Sequence, residues 1–353
     1  MPTQKKQISN GVKKGDKILL AAQDPGGFNS LVSVIKVLEK KGADIKVLLS
    51  NESCLIAKRN KINFLDCSDF SQDKLKMIFK KFNPQIVVTS TSFGLSLDKK
   101  ILGLVKKGKI PTISVVDFWS NYKMRFSNPE TEDFAYLPNA ICVIDEYMKT
   151  GMEKEGFNKK ILRVTGNPFF DGFKKTLKAK ETYFLFVSQP FSELGISAFD
   201  EVRIFNDFVS SLIAIKDNAP VIISFHPREK NKKKFEKIIS GASIKIKISE
   251  KSGDDLVDNA KMILGINSMA LFRAALKGKK VVGYQPGIEK EKDVLMSNRL
   301  GLSEGVYDFN RLGEVVKKLL KKNGDRNKLE KIRKKYVENG STQKVVKIII
   351  DMI

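Results

Sequence analysis

From Ile18 onward, apolar runs of strand length alternate with amphipathic stretches of helix length. Ile18-Leu19-Leu20-Ala21 reads as a short buried strand, followed by a turn at Asp24-Pro25-Gly26-Gly27 and a helix from Asn29 to Lys41. Further strands are predicted at Ile45–Leu49, Ile86–Thr89, Thr112–Val116, Ala140–Ile144 and Ile161–Val164. The helices between them run over Lys74–Phe82, Leu97–Lys107 and Tyr147–Glu155. Strands written as continuous apolar runs and separated by helices imply a parallel sheet covered on both faces. The alternation then restarts. Strands are predicted at Tyr183–Val187, Pro220–Phe225, Ile244–Ile248, Met262–Gly265 and Lys280–Tyr284, with helices over Phe199–Ile215, Lys232–Ile239 and Ala270–Lys277. Residues 310–353 read as helical, and Asn167–Glu181 breaks both periodicities and is the natural hinge. The pattern predicts an α/β chain of two successive doubly wound domains. Their bounds are 1–17 for a loose basic tail, 18–172 for the first domain and 173–335 for the second, with a helix over 336–353 packing back on the first.

Composition fits this picture. A chain of 353 residues is long for one core. A hydrophobic content of 42% with a mean hydropathy of −0.22 describes a globular protein in water. No stretch approaches the roughly 18 uninterrupted apolar residues of a membrane span. The first seventeen residues lack the apolar middle of a signal peptide, which points to a cytoplasmic protein. Cys54, Cys67 and Cys142 are widely spaced in apolar surroundings, with neither a disulfide framework nor metal-ligand spacing. A net charge of +24 attracts polyanions, among them anionic lipid and phosphorylated substrates. No zinc-finger spacing, aromatic RNA-binding signature or recognition helix supports specific nucleic-acid binding.

Three segments carry candidate chemistry, each just beyond a predicted strand, where α/β sheets bind ligands. In Gln23-Asp24-Pro25-Gly26-Gly27-Phe28-Asn29, glycines allow close backbone approach ahead of a helix start, without the G-x-G-x-x-G fingerprint of dinucleotide binding. Asp117-Phe118-Trp119-Ser120-Asn121-Tyr122-Lys123-Met124-Arg125-Phe126 reads as an exposed loop. It sets the single tryptophan, a carboxylate, an amide and a guanidinium together: aromatic faces for a sugar, and in Asp117 a general base for a hydroxyl. The third lies in two pieces. The single histidine, His226, ends the run Val221–Phe225 and precedes Pro227, Arg228 and Glu229, while Asn267, Ser268 and Met269 open a helix whose amides suit a phosphate.

These motifs resemble those of GT-B type glycosyltransferases and related sugar-nucleotide enzymes. Ile141–Glu146, Gly156-Phe157 and Val164-Thr165-Gly166-Asn167-Pro168-Phe169-Phe170-Asp171 are similar to the end of that superfamily's amino-terminal domain. His226-Pro227 resembles the His-Pro element of bacterial sialyltransferases, polysialyltransferases and polyol-phosphate transferases, and Asn267-Ser268 takes the place of their serine element. The resemblance implies two doubly wound Rossmann-like domains facing each other across a cleft, with these groups holding the nucleotide's phosphate and base. Phe272 and Arg273 stand where many relatives carry a ribose-binding Glu. The opening Gln23-Asp24-Pro25-Gly26 departs from the Thr-Arg-Pro-Glu run of UDP-N-acetylglucosamine 2-epimerases.

The leading expectation is a metal-independent glycosyltransferase with no cofactor beyond its nucleotide-sugar substrate, CMP- or UDP-linked. It acts in surface polysaccharide or glycoconjugate synthesis, at the inner face of the membrane. His226, Arg228, Glu229, Asn267, Ser268 and Met269 bind the nucleotide. Asp117 or Asp24 takes the acceptor proton, and His226 steadies the leaving phosphate. Gly26, Gly27, Asn29, Trp119, Asn121, Tyr122 and Arg125 hold the sugar or a glycan or lipid-linked acceptor. Two alternatives remain: a 2-epimerase using Asp117, Glu146 and His226, and a non-catalytic protein of the same fold that docks on anionic polymer or membrane.

Overall fold

The computed structural model describes residues 13–105, 110–173, 180–193, 195, 198–226, 228–321 and 324–353. Two compact units divide the chain, one reaching Asp171 and adding Tyr336–Ile353, the other spanning Gly172–Lys335.

In the first unit, β1 (Lys17–Ala22), α1 (Pro25–Lys40), β2 (Asp44–Leu49), α2 (Ser53–Asn60), β3 (Leu65–Asp66), α3 (Gln72–Phe82) and β4 (Ile86–Thr89) come first. They are followed by α4 (Leu97–Val105), β5 (Thr112–Val115), α5 (Tyr122–Phe126), β6 (Ala140–Val143), α6 (Glu146–Lys154) and β7 (Leu162–Val164). The seven strands are parallel in the order β3-β2-β1-β4-β5-β6-β7, so the winding reverses between β1 and β4. The two-residue period of β1 builds two cores at once. Ile18, Leu20 and Ala22 pack with Phe28, Leu31 and Ile35 of α1, while Leu19 and Ala21 face Leu75 of α3 and Ile101 of α4.

The second unit contains β8 (Tyr183–Val187), α7 (Glu201–Ala214), β9 (Val221–Ser224), α8 (Glu236–Gly241), β10 (Ile246–Ser249), α9 (Gly253–Leu256) and β11 (Ala260–Gly265). After them come α10 (Met269–Leu276), β12 (Val281–Tyr284), α11 (Met296–Arg299), β13 (Glu304–Val306), α12 (Leu312–Lys321) and α13 (Arg326–Tyr336), whose last residue, Tyr336, already belongs to the first unit. Its six parallel strands run β10-β9-β8-β11-β12-β13, with the reversal between β8 and β11. Phe184 and Phe186 join Phe205, Phe208 and Phe235 on one face, and Leu185 and Val187 meet Ala270, Leu271 and Ala274 on the other. Gly265 permits that second packing, since a Cβ there would stand 2.9 Å from the Val187 carbonyl.

A last helix, α14 (Ser341–Met352), belongs to the first unit, where Val345, Val346 and Ile349 enter the α1 core. The Asp171 carboxylate caps it by accepting the amides of Ser341 (3.1 Å) and Thr342 (2.6 Å). Gly166, at φ +87°, turns the chain where a Cβ would strike Ser341 and Asn339.

Several local expectations are corrected. Asp24–Gly27 is no free turn: α1 starts at Pro25, whose missing N–H costs nothing at a helix start, and Gly26 and Gly27 form its first turn. Lys17 already belongs to β1, and residues 1–12 of the expected tail lie outside the described residues. The predicted helix at Lys232–Ile239 is a 3-10 turn over Lys232–Phe235 followed by α8. Within the expected hinge, Pro168–Phe170 is a 3-10 turn of the first unit, and 174–179 lie outside the described residues. All three cysteines are buried free thiols. Among the described residues no helix is long and apolar enough to cross a membrane.

Candidate functional site

The carboxyl edge of the second sheet gathers the nucleotide-binding candidates. Asn267 leaves β11 and pairs with Gln189 from the loop after β8. Gln189 Nε2 donates to Asn267 Oδ1 at 2.8 Å, and the Asn267 amide returns a bond to Gln189 Oε1 at 3.0 Å. Gln285, at the end of β12, donates to the Ile266 carbonyl at 3.1 Å and is itself held by Asp293 at 2.6 Å. Ser268 is the N-cap of α10, its hydroxyl accepting the Ala270 amide at 3.2 Å, and Met269 is the first helical residue. The turn is therefore fixed from both neighbouring strands, with the positive end of α10 behind it.

His226 follows β9 on the same edge and is half-buried, with Arg228 exposed beside it. Its Nδ1 accepts the Arg228 amide at 3.2 Å, and its carbonyl accepts the Glu229 amide at 2.8 Å. Pro227 lies outside the described residues. Glu229 does not face a ligand: it is 4% exposed and accepts from the Ser188 hydroxyl at 2.9 Å and from Lys234 at 3.0 Å. Burial pushes its carboxyl up, against the pull of Lys234 and Ser188. Glu229 is thus an internal brace, and Ser188 next to Gln189 connects the His226 loop to Asn267. Phe272 and Arg273 are buried, Arg273 against Asp254, so both side chains point into the unit's interior. A separate cavity of about 290 Å³ beside Tyr307, Asp308, Arg311 and Lys318 contains none of the candidates.

On the first sheet's carboxyl edge, Asp117 pairs with Arg125 at 3.0 Å and lies where a Gly26 Cβ would meet its carboxylate. A negative group is favoured there by the start of α1. Gly27 brings α1 against β4, since a Cβ would stand 2.6 Å from Ser90 Cβ. Asn167 accepts the Ser30 hydroxyl at 2.9 Å and donates to the Asp117 carbonyl at 3.3 Å. Asp24 precedes α1, its amide on Ser92 Oγ at 3.2 Å, and Asn29 is half-buried in the helix. Asn121 is exposed in the left-handed region at φ +55° and opens α5.

The expected exposed aromatic loop is instead core. Trp119 is 4% exposed, donates to Asp145 at 3.1 Å and packs on Phe170 and Tyr336. Tyr122 is buried against Gly151, and Arg125 also reaches Thr91 Oγ1 at 3.0 Å. Neither ring offers a face to a sugar. The physical reason is local: α5 turns the segment inward, and Asp145, which also caps α6, satisfies the indole N–H.

One polar group here has no counterpart among the sequence candidates. Asp98, in the first turn of α4, is 2% exposed; Oδ1 accepts the Ser90 hydroxyl at 2.7 Å, while Oδ2 has no hydrogen bond. Burial pushes its carboxyl up to about 6, with Ser92 and Ser90 pulling down and Asp24 pushing up. The signal was the hydroxyl-rich run Ser90-Thr91-Ser92, with Ser96 and Asp98 after it, at the strand where the winding reverses. Among the described residues no cluster of three or more His, Cys, Asp or Glu side chains is arranged to hold a metal ion.

Residues 111–276 match the family model described as alpha-2,8-polysialyltransferase. No curated protein is a significant sequence match. Among solved structures, the S. aureus MnaA–UDP co-structure superposes with a TM-score of 0.71 at 12% identity, covering 96% of this chain and 98% of that one. The UDP-GlcNAc 2-epimerase from Neisseria meningitidis bound to UDP-GlcNAc gives 0.65 at 14%, with 95% and 99% covered. The glycotransferase of kitacinnamycin gives 0.66 at 10%, with 96% and 100% covered. Over 111–276 the chain is therefore similar in sequence to the alpha-2,8-polysialyltransferases, and its two doubly wound units have the GT-B fold of glycosyltransferases and 2-epimerases.

Proposed function

We propose that this chain is a glycosyltransferase moving a sugar from a nucleotide-activated donor to a glycan or lipid-linked acceptor, with the donor on the second unit and the acceptor on the first. The observation that carries the reading is the hydrogen-bonded line from His226 through Glu229, Ser188 and Gln189 to Asn267 and the start of α10, within the stretch that matches the polysialyltransferase model. Anionic phosphate oxygens suit that edge, because the start of α10 carries partial positive charge toward it and His226 and the exposed Arg228 lie on the same edge. As the anomeric carbon–oxygen bond breaks, its electron pair passes to the departing phosphate, where these groups stabilise it. The acceptor oxygen bonds to the anomeric carbon and its proton passes to Asp24 or Asp117. No metal is required of the chain in this scheme.

The His-Pro resemblance favours cytidine donors of an acidic sugar over uridine donors. Thermal-shift measurements with CMP, CDP, UMP and UDP test this, since a ligand bound only to the native state raises Tm. Stabilisation by the cytidine nucleotides supports it, and a protein unmoved by all four overturns it. The likeness to 2-epimerases favours a second reading at the same edge. Incubating donor alone in deuterated water separates the two, because only epimerisation by proton removal leaves label on the sugar. The +24 charge supports action at the anionic inner face of a membrane, and the non-catalytic reading would show salt-sensitive vesicle binding without nucleotide stabilisation.

A further inference from the structure

Behind His226 three carboxylates converge on one ammonium. Lys234 Nζ lies 2.6 Å from Glu201, 3.0 Å from Glu229 and 3.3 Å from Glu193. The three acids come from different places: the segment after β8, the first turn of α7 and the loop after β9. Burial alone would lower the Lys234 pKa, but the bonds to Glu201 and Glu229 win and hold it above its ordinary range. Glu193 also accepts the amides of Lys230 (2.9 Å) and Asn231 (3.2 Å), so the loop that carries His226 is held at its far end. At its near end, Glu229 Oε2 faces the His226 amide at 3.4 Å, and the Glu229 amide closes a tight turn on the His226 carbonyl at 2.8 Å. That turn aims the Arg228 amide at His226 Nδ1, 3.2 Å away. A neutral imidazole whose Nδ1 accepts a hydrogen bond carries its proton on Nε2.

We infer that Lys234 and Glu229 are positioning residues that fix His226 as the Nε2–H tautomer, which makes its ring a hydrogen-bond donor to an anionic oxygen and not a proton acceptor. The inference rests on the phosphate-site reading of this edge and deepens it. Lys234 itself is only 11% exposed in its side chain and is surrounded by more negative charge than it can neutralise, so it is no phosphate ligand. Its effect reaches the reaction through the turn.

Because the chain has one histidine, ¹⁵N labelling of histidine gives a single imidazole signal pair that needs no assignment. Well above the ring's titration, the wild type is expected to show a pyridine-type nitrogen at Nδ1 and a pyrrole-type nitrogen at Nε2. Lys234→Met and Glu229→Gln are expected to shift both signals toward the average of the two tautomers, and Lys234→Arg to retain the wild-type pattern. Glu229→Gln preserves size and the Ser188 contact, so it reports even if Lys234→Met fails to fold. A wild type with the proton on Nδ1, or a folded Glu229→Gln protein with the wild-type spectrum, overturns the inference. Adding CMP to the wild type tests the underlying reading separately: signals that do not move reject the phosphate site while leaving the tautomer result standing.

Discussion

At the residue scale, Asp117 and Asp98 live in opposite environments. Asp117 has a guanidinium at 3.0 Å, whereas Asp98 has a buried oxygen without a hydrogen bond. The Asp98 carboxyl is pushed up from 3.8 to about 6, so the native state keeps its proton to higher pH than the unfolded chain does. Its contribution to stability is full below about pH 4 and is lost as pH rises through about 6. That contribution amounts to about 3 kcal/mol at most, at 1.36 kcal/mol for each unit. Asp98→Asn keeps an acceptor for Ser90 and cannot ionise. Urea denaturation at several pH values should show the variant gaining on the wild type between pH 4 and 6; parallel profiles would count against a protonated Asp98. The same scale explains one misreading. Trp119 stands among polar neighbours in the sequence, which suggests exposure, but an indole N–H can be buried once a partner such as Asp145 meets it. Glu229 was misplaced for the converse reason, because nothing local announces Lys234 as its cation.

At the element scale, Gly27 decides how closely α1 approaches β4. Gly27→Ala places a Cβ 2.6 Å from Ser90 Cβ and should destabilise by about 1–3 kcal/mol, the usual range for overpacking. Gly26→Ala meets the movable end of the Asp117 side chain instead, so it should cost less stability while disturbing the Asp117–Arg125 pair. Equal denaturation midpoints for Gly27→Ala and wild type would refute this packing account. Buried parallel strands were readable because they are unbroken apolar runs: Ile86–Thr89 and Tyr183–Val187 have the expected limits. Elements at the sheet margins were not. Both residues of β3 are exposed, only three of the eight residues of α2 are buried, and the three-residue β13 includes Gly305, so periodicity has little to grip. The hydroxyl run Ser90–Ser92 has no hydropathy pattern at all, although it follows a strand at the winding reversal.

At the scale of the whole molecule, the first unit is made from both ends of the chain. Truncation after Asn339 removes Val345, Val346 and Ile349 from the α1 core, where each fully buried side chain is worth roughly 1.5–3 kcal/mol. The truncated protein should bind ANS and lose cooperative unfolding of the first unit, and an unchanged melting curve would contradict that. The two alternations of strand and helix were legible because each winds its own core. The central claim is that the carboxyl edge of the second sheet is a nucleotide-phosphate site centred on His226. Isothermal titration of CMP into the wild type and His226→Ala tests it most directly. Measurable binding by the wild type is expected, with an affinity lower by roughly ten- to a hundredfold in the variant, as for a lost hydrogen bond to a charged group. Equal affinities, or no binding by a folded wild type, would contradict it.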